Sequence, residues 1–249
     1  MLRWSLALIA AFVLAGRVEA TTITWNTCEG PGSGGECRTG VIESAHPSVG
    51  DAGPFTFTAT GGQVLFVDAF KASSPISDTP IRLFSGGIGA GGEDPPQHAV
   101  DNMDPLGNEI IVFKFPAIYK PLTFTLGYIS GDSDLQTWIG GSTSTSLDFL
   151  LGSDWGGSGG GADSSLLSGF VYQSFDFAGN QATVPRTLTF SNNASGAILI
   201  IAAVTGGGDE DDKFKIQQIV ADPVAGVPEP GSLILLGSGL AALALRRKR

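Results

Sequence analysis

An all-β fold, an antiparallel sandwich with jelly-roll-like connections, is what this chain predicts, and three observations carry the prediction. Seven runs rich in β-branched and aromatic residues recur along it, PFTFTA, QVLFVDAF, EIIVFKF, LTFTLGYI, RTLTF, AILIIAAV and KFKIQQIV, several with two-residue alternation. Helical periodicity is nearly absent between them. The 36 Gly and 14 Pro that punctuate these runs suit short strands joined by turns.

The amino-terminal element is read as a signal helix. Arg3 precedes the apolar run from Trp4 to Ala15, and Val18-Glu19-Ala20 is a small-x-small cleavage site, so the mature chain begins at Thr21, after Ala20. Next, Cys28 and Cys37 bracket the glycine-rich stretch EGPGSGGE. In an oxidising compartment outside the inner membrane this pair is expected to form a disulfide, worth roughly 2 to 3 kcal/mol by closing so short a loop. The spacing is not C-x-x-C and no His adjoins it, which argues against a redox or metal site.

Among the strands, PLTFTLGYI places Leu122, Phe124, Leu126 and Tyr128 on one face and Thr123 and Thr125 on the other, predicting one buried and one wetter side. AILIIAAV, from Ala197 to Val204, is apolar on both faces and is expected at the centre of a sheet. The glycine-rich stretches 152–165 and 206–212 offer little surface to bury against the entropy of ordering them, and are expected to be mobile. The resulting organisation is a signal peptide over 1–20, one β domain over 21–220, a spacer over 221–226 and a separate tail over 227–249.

Charge excludes one class of partner. Without its two ends the chain keeps 8 Lys and Arg against 22 Asp and Glu, a net charge of −14. Such a surface repels nucleic acid, which binds through clustered Lys and Arg.

The tail reads VPEPGSLILLGSGLAALALRRKR. Its apolar run from Leu233 to Leu245 has 13 residues, about 20 Å of helix at ~1.5 Å per residue against a hydrocarbon core of roughly 30 Å. Arg246, Arg247, Lys248 and Arg249 then form a cationic stop that stays in the cytoplasm by the positive-inside rule, with everything from Thr21 to about Val227 outside the inner membrane. The order of Val227-Pro228-Glu229-Pro230, short apolar segment and basic terminus resembles the PEP-CTERM sorting signal of Gram-negative bacteria. That resemblance implies a signal peptidase and an exosortase-type enzyme as partners, transient anchoring by the tail, and delivery to the cell surface or extracellular matrix. An ordinary single-pass anchor is the alternative. Within the body, QHAVDNMDPLGNEIIVFKF, LGYISGDSDLQTWIGG and DDKFKI look like an all-β domain recurrent among PEP-CTERM exported proteins.

Motifs for catalysis are weak. Gly156-Gly157-Ser158-Gly159-Gly160 fits G-x-S-x-G, but no helix follows to hold a nucleophile elbow, and Gly131-Asp132-Ser133 lacks the later Asp-x-x-His that its lipase counterpart needs. His46 and His98, the two histidines, lack the helical pairing of a zinc protease. Carboxylates are abundant enough for a glycoside hydrolase or lyase, the alternative reading, but spacing along a sequence does not place two of them face to face. Calcium is the candidate metal: Asp209, Glu210, Asp211 and Asp212 crowd one turn, Asp132 and Asp134 another, and Asp101, Asn102, Asp104 and Glu109 border a third. Trp155, in GSDWGGSGG, is the candidate ligand-binding ring because so glycine-rich a loop gives it little core to join. Trp25 and Trp138 are expected to pack inside. Together these features predict an exported, non-enzymatic surface or matrix protein associated with exopolysaccharide.

Overall fold

The computed structural model describes residues 21–27, 43–44, 55–72, 75–84, 86–90, 99–101, 108–130, 134–155, 166–176, 185–203 and 212–224. The signal segment, the Cys28 and Cys37 pair, Asp209 to Asp211 and the tail from Val227 to Arg249 lie outside them. In chain order the described strands are β1 (Ile23–Asn26), β2 (Glu43–Ser44), β3 (Phe55–Thr58), β4 (Val64–Ala72) and β5 (Ser77–Asp78). They continue with β6 (Ile81–Phe84), β7 (Gly87–Ala90), β8 (Val100–Asp101), β9 (Asn108–Ser130) and β10 (Leu135–Gly140). The last four are β11 (Val171–Phe175), β12 (Arg186–Thr189), β13 (Gly196–Ala203) and β14 (Lys213–Pro223). Every ladder is antiparallel.

β9 organises the rest. The sequence reads as two strands, EIIVFKF and LTFTLGYI, separated by prolines, yet they form one element of 23 residues. Proline has no N–H for the ladder and is tolerated where pairing is already interrupted. Pro116 and Ala117 stand exposed at such a point. Gly196 of β13 faces Tyr119 while Ile198 faces Lys114, so a two-residue step on β13 answers a five-residue step on β9. The strand turns from one layer into the other there.

The amino-terminal half of β9 lies in a layer ordered β3–β4–β9–β13–β10–β11, with β5 also paired to β4. Its carboxy-terminal half lies between β12 and β14 in the second layer. Along the far edge of β14 the short strands β8, β7 and β1 pair in succession, and β6 and β2 extend outward from β7.

Side-chain alternation explains why the first layer is apolar on both faces. Leu199, Ile201 and Ala203 of β13, with Ile111 and Phe113 of β9, enter the core between the layers, beside Phe124, Leu126, Phe214 and Ile216 of the second layer. Ile198, Ile200 and Ala202, with Ile110 and Val112, point the other way into a second cluster. That outer face is roofed by the segment after β10. Ser146 caps a 3-10 turn over Leu147–Leu150, and Leu147, Leu150, Trp155 and Leu167 pack down from the roof. Each fully buried Leu, Ile or Phe contributes roughly 1.5 to 3 kcal/mol, so covering both faces makes β13 a central strand energetically as well as topologically.

Two local expectations change. In β9 the predicted face of Leu122, Phe124, Leu126 and Tyr128 holds only for its middle: Phe124 and Leu126 are in the core, but Ile129 follows them in place of Tyr128. The cause is a bulge. Leu126 faces Ile216 whereas Tyr128 faces Lys215, and the extra residue, Gly127, shifts the alternation by one. The second change concerns the stretch 152–165, whose beginning is pinned: Gly152 donates its N–H to the Ile76 carbonyl at 3.1 Å and Ile76 donates to that of Ser153 at 2.7 Å. These backbone bonds and the packed Trp155 side chain hold that beginning in place. At the other boundary β14 runs on to Pro223, and Val224 N–H reaches the Ile118 carbonyl at 3.0 Å, so the sheet extends into the stretch read as a spacer.

Candidate functional site

The acidic stretches that looked separate in sequence meet at one end of the sandwich. β8 brings Asp101 beside Lys213 at the start of β14, whose other neighbour is Ser130 at the end of β9. Glu109, buried at the start of β9, accepts the Asp101 N–H through Oε2 at 3.3 Å. Asp212 is fully buried and accepts the Asp134 N–H through Oδ1 at 2.5 Å, tying the residue before β10 to the residue before β14. These carboxylates serve as braces between strand ends, since a charged acceptor makes a stronger bond to a backbone N–H than a neutral one. Among the described residues no group of three or more His, Cys, Asp or Glu is placed to hold a metal ion. Of the calcium candidates, Asp212 is seen accepting the Asp134 N–H, while Asp132, Asp209, Glu210 and Asp211 lie outside the described residues.

Lys215, two residues further along β14, is buried on the outward face, its Nζ 4.8 Å from the centre of the Tyr128 ring. Desolvation lowers its ammonium pKa from 10.5 to about 8. The ring face offsets part of that loss through its quadrupole. Tyr119, in the middle of β9 beside its bend, has its phenol pushed above the ordinary value by burial. Its ring centre lies 5.4 Å from that of Trp25 and 5.3 Å from that of Phe115, which closes the interior beside β1.

The candidate ring Trp155 is not an open platform. It is 5% exposed and stands edge-on to Trp138 at 5.3 Å. The expectation that it had little core to join failed because the core it joins is the outer face of the first layer, which needs a roof. Trp25 and Trp138 are buried as expected. The open aromatic among the described residues is Tyr172 on β11, 49% exposed, with its ring 5.4 Å from Trp138, and the sequence did not single it out. The signal for it was the short alternating run VYQSF between glycine-rich stretches.

The tail decides the chain's destination. Residues 226–249 match the PEP-CTERM protein-sorting motif. The motif marks a protein that is exported and sorted through an exosortase, with a carboxy-terminal sorting signal that anchors it in the membrane. Among the described residues no helix is long and apolar enough to cross a membrane. A search of curated proteins found no match to the chain. Among solved structures, a rhamnosidase from Klebsiella oxytoca with rhamnose bound is similar at 14% identity and a TM-score of 0.28, over 67% of this chain and 32% of that one. The chain thus spans about a third of that protein's length, and a likeness this slight bears on neither fold nor activity.

Proposed function

We propose that the protein is a non-enzymatic component of the cell surface or extracellular matrix, delivered by its sorting tail and held there in association with exopolysaccharide. The match of residues 226–249 to the PEP-CTERM motif is the observation that carries this reading. In sequence order, signal peptidase cuts between Ala20 and Thr21, the sandwich folds outside the inner membrane, and the exosortase acts at Val227 to Pro230 while Arg246 to Arg249 hold the tail on the cytoplasmic side. The body suits a structural role in that its two layers meet through interlocking aliphatic and aromatic side chains. An acidic exterior would keep such a protein soluble in a crowded matrix.

Fractionating source cells tests this. The reading expects most of the protein, shortened at both ends, to be recovered with extracellular polysaccharide, and purified mature protein to release no sugars from that polysaccharide. Recovery mainly in the cytoplasm or periplasm, or release of oligosaccharides, would overturn it.

A further inference from the structure

β11 is an edge strand whose outward face differs from the rest of its layer. Its inward residue Phe175 packs against Phe124 and Phe190, and Gln173 Oε1 accepts from Ser191 N–H and from Asn192 Nδ2, at 3.1 and 3.0 Å. The strand is therefore held firmly from the core side. Outward, Tyr172 pairs across the ladder with Trp138 and Ser174 with Gln136, so these four share one face. Tyr172 and Ser174 are exposed. Gln136 is only 7% exposed, and its Oε1 has no hydrogen-bond partner among the described residues. A buried acceptor left unmade costs about 1 to 3 kcal/mol, so this one is poised for a donor from outside the chain.

We propose that this face, formed by Tyr172, Ser174 and Gln136, is a subsite for a neutral, hydroxyl-rich saccharide. Tyr172 supplies the ring on which the apolar face of a pyranose lies, and Trp138 behind it fixes the ring's tilt. Ser174 stands two residues along, about 7 Å at the rise of a strand, a separation on the scale of one sugar ring. Gln136 lies across the ladder from Ser174, and a sugar hydroxyl reaches its carboxamide once that group turns outward, a group that both accepts from and donates to hydroxyls. The exposed carboxylate of Asp176 lies just beyond, and the mature chain carries a net charge of −14, so anionic polysaccharides are disfavoured and neutral ones are not. The proposal rests on the reading of the protein as associated with polysaccharide, and names where and to what class it binds.

Native affinity electrophoresis of the full chain in a polyoxyethylene detergent tests it, using gels that contain dextran, hydroxyethylcellulose, alginate or the source cells' own extracellular polysaccharide. The expected result is retardation by a neutral polymer and not by alginate. Tyr172→Ala and Gln136→Leu should each weaken it about tenfold, the loss of roughly one stacking contact or hydrogen bond, and Val224→Ala should match the wild type. Gln136→Leu keeps the buried volume while removing the carboxamide, and thermal unfolding checks its fold. If it does not fold, Tyr172→Ala alone decides. Wild-type retardation that Tyr172→Ala leaves unchanged would overturn the site while the matrix reading stands. No retardation in any gel would overturn both.

Discussion

Lys215 carries an ammonium into a place with little water, and its energetics follow from that. Its folded pKa of about 8 lies below the ordinary 10.5, so between those values the unfolded chain binds more protons than the folded one. Stability contributed at this position therefore rises with pH across that window, and the burial cost is fully present below about pH 8. Tyr119, whose raised pKa is felt mainly above its ordinary 10.0, touches only the top of that window. Replacing Lys215 with Met removes the titration while keeping the stem. Denaturant unfolding should show Lys215→Met favoured over wild type more at pH 7 than at pH 9.5, by on the order of 1 kcal/mol. A difference that is flat or grows with pH would show that Lys215 does not titrate as a desolvated amine. Single residues of this kind were poorly legible in sequence. KFKIQQIV reads as alternating, and only the bulge at Gly127 reveals that Lys215 and Tyr128 share an outward face.

At the scale of elements, β9 carries the architecture because one uninterrupted strand serves both layers. Its bulge requires a close approach: a Cβ built on Gly127 would stand 2.3 Å from the Gly86 carbonyl oxygen and 2.9 Å from Gln217 Cβ. A backbone oxygen does not yield as a flexible side chain does. Gly127→Ala should therefore destabilise the fold by roughly 1 to 3 kcal/mol, and exposed Thr56→Ala by less than about 0.5, both read from denaturant midpoints. Equal midpoints for the two variants would mean that the β6–β7 turn does not pack on β9 as described. The strand runs themselves were legible, because PFTFTA, QVLFVDAF, RTLTF, AILIIAAV and KFKIQQIV carry the alternation or continuous apolarity of half-buried and fully buried strands. The joining of EIIVFKF to LTFTLGYI was not, since Pro116 reads as a break in one dimension and becomes a bend only when β13 changes register beside it. Trp155 illustrates the same limit. Its neighbours in sequence are glycines, and its neighbour in space is Trp138.

For the whole molecule, the sorting signal was legible and the proposed saccharide face was not. A sorting tail is linear information: two prolines around a carboxylate, a run too short for the bilayer, and a basic stop can be read without folding anything. The outward face of β11 exists only once Tyr172 is set beside Trp138 and Ser174 beside Gln136 by the ladder. The central claim is that the tail is a temporary address read at Val227 to Pro230. Pro228 and Pro230 resist helix and deny backbone donors, keeping that segment extended for a processing enzyme just outside the membrane. The most direct measurement is the mass and fractionation of a Pro228→Ala, Glu229→Ala, Pro230→Ala triple variant expressed in source cells. The account predicts export with the tail uncut, seen as a slightly heavier species that sediments with the inner membrane. Arrival of the variant at the surface with the mass of the wild type would contradict it.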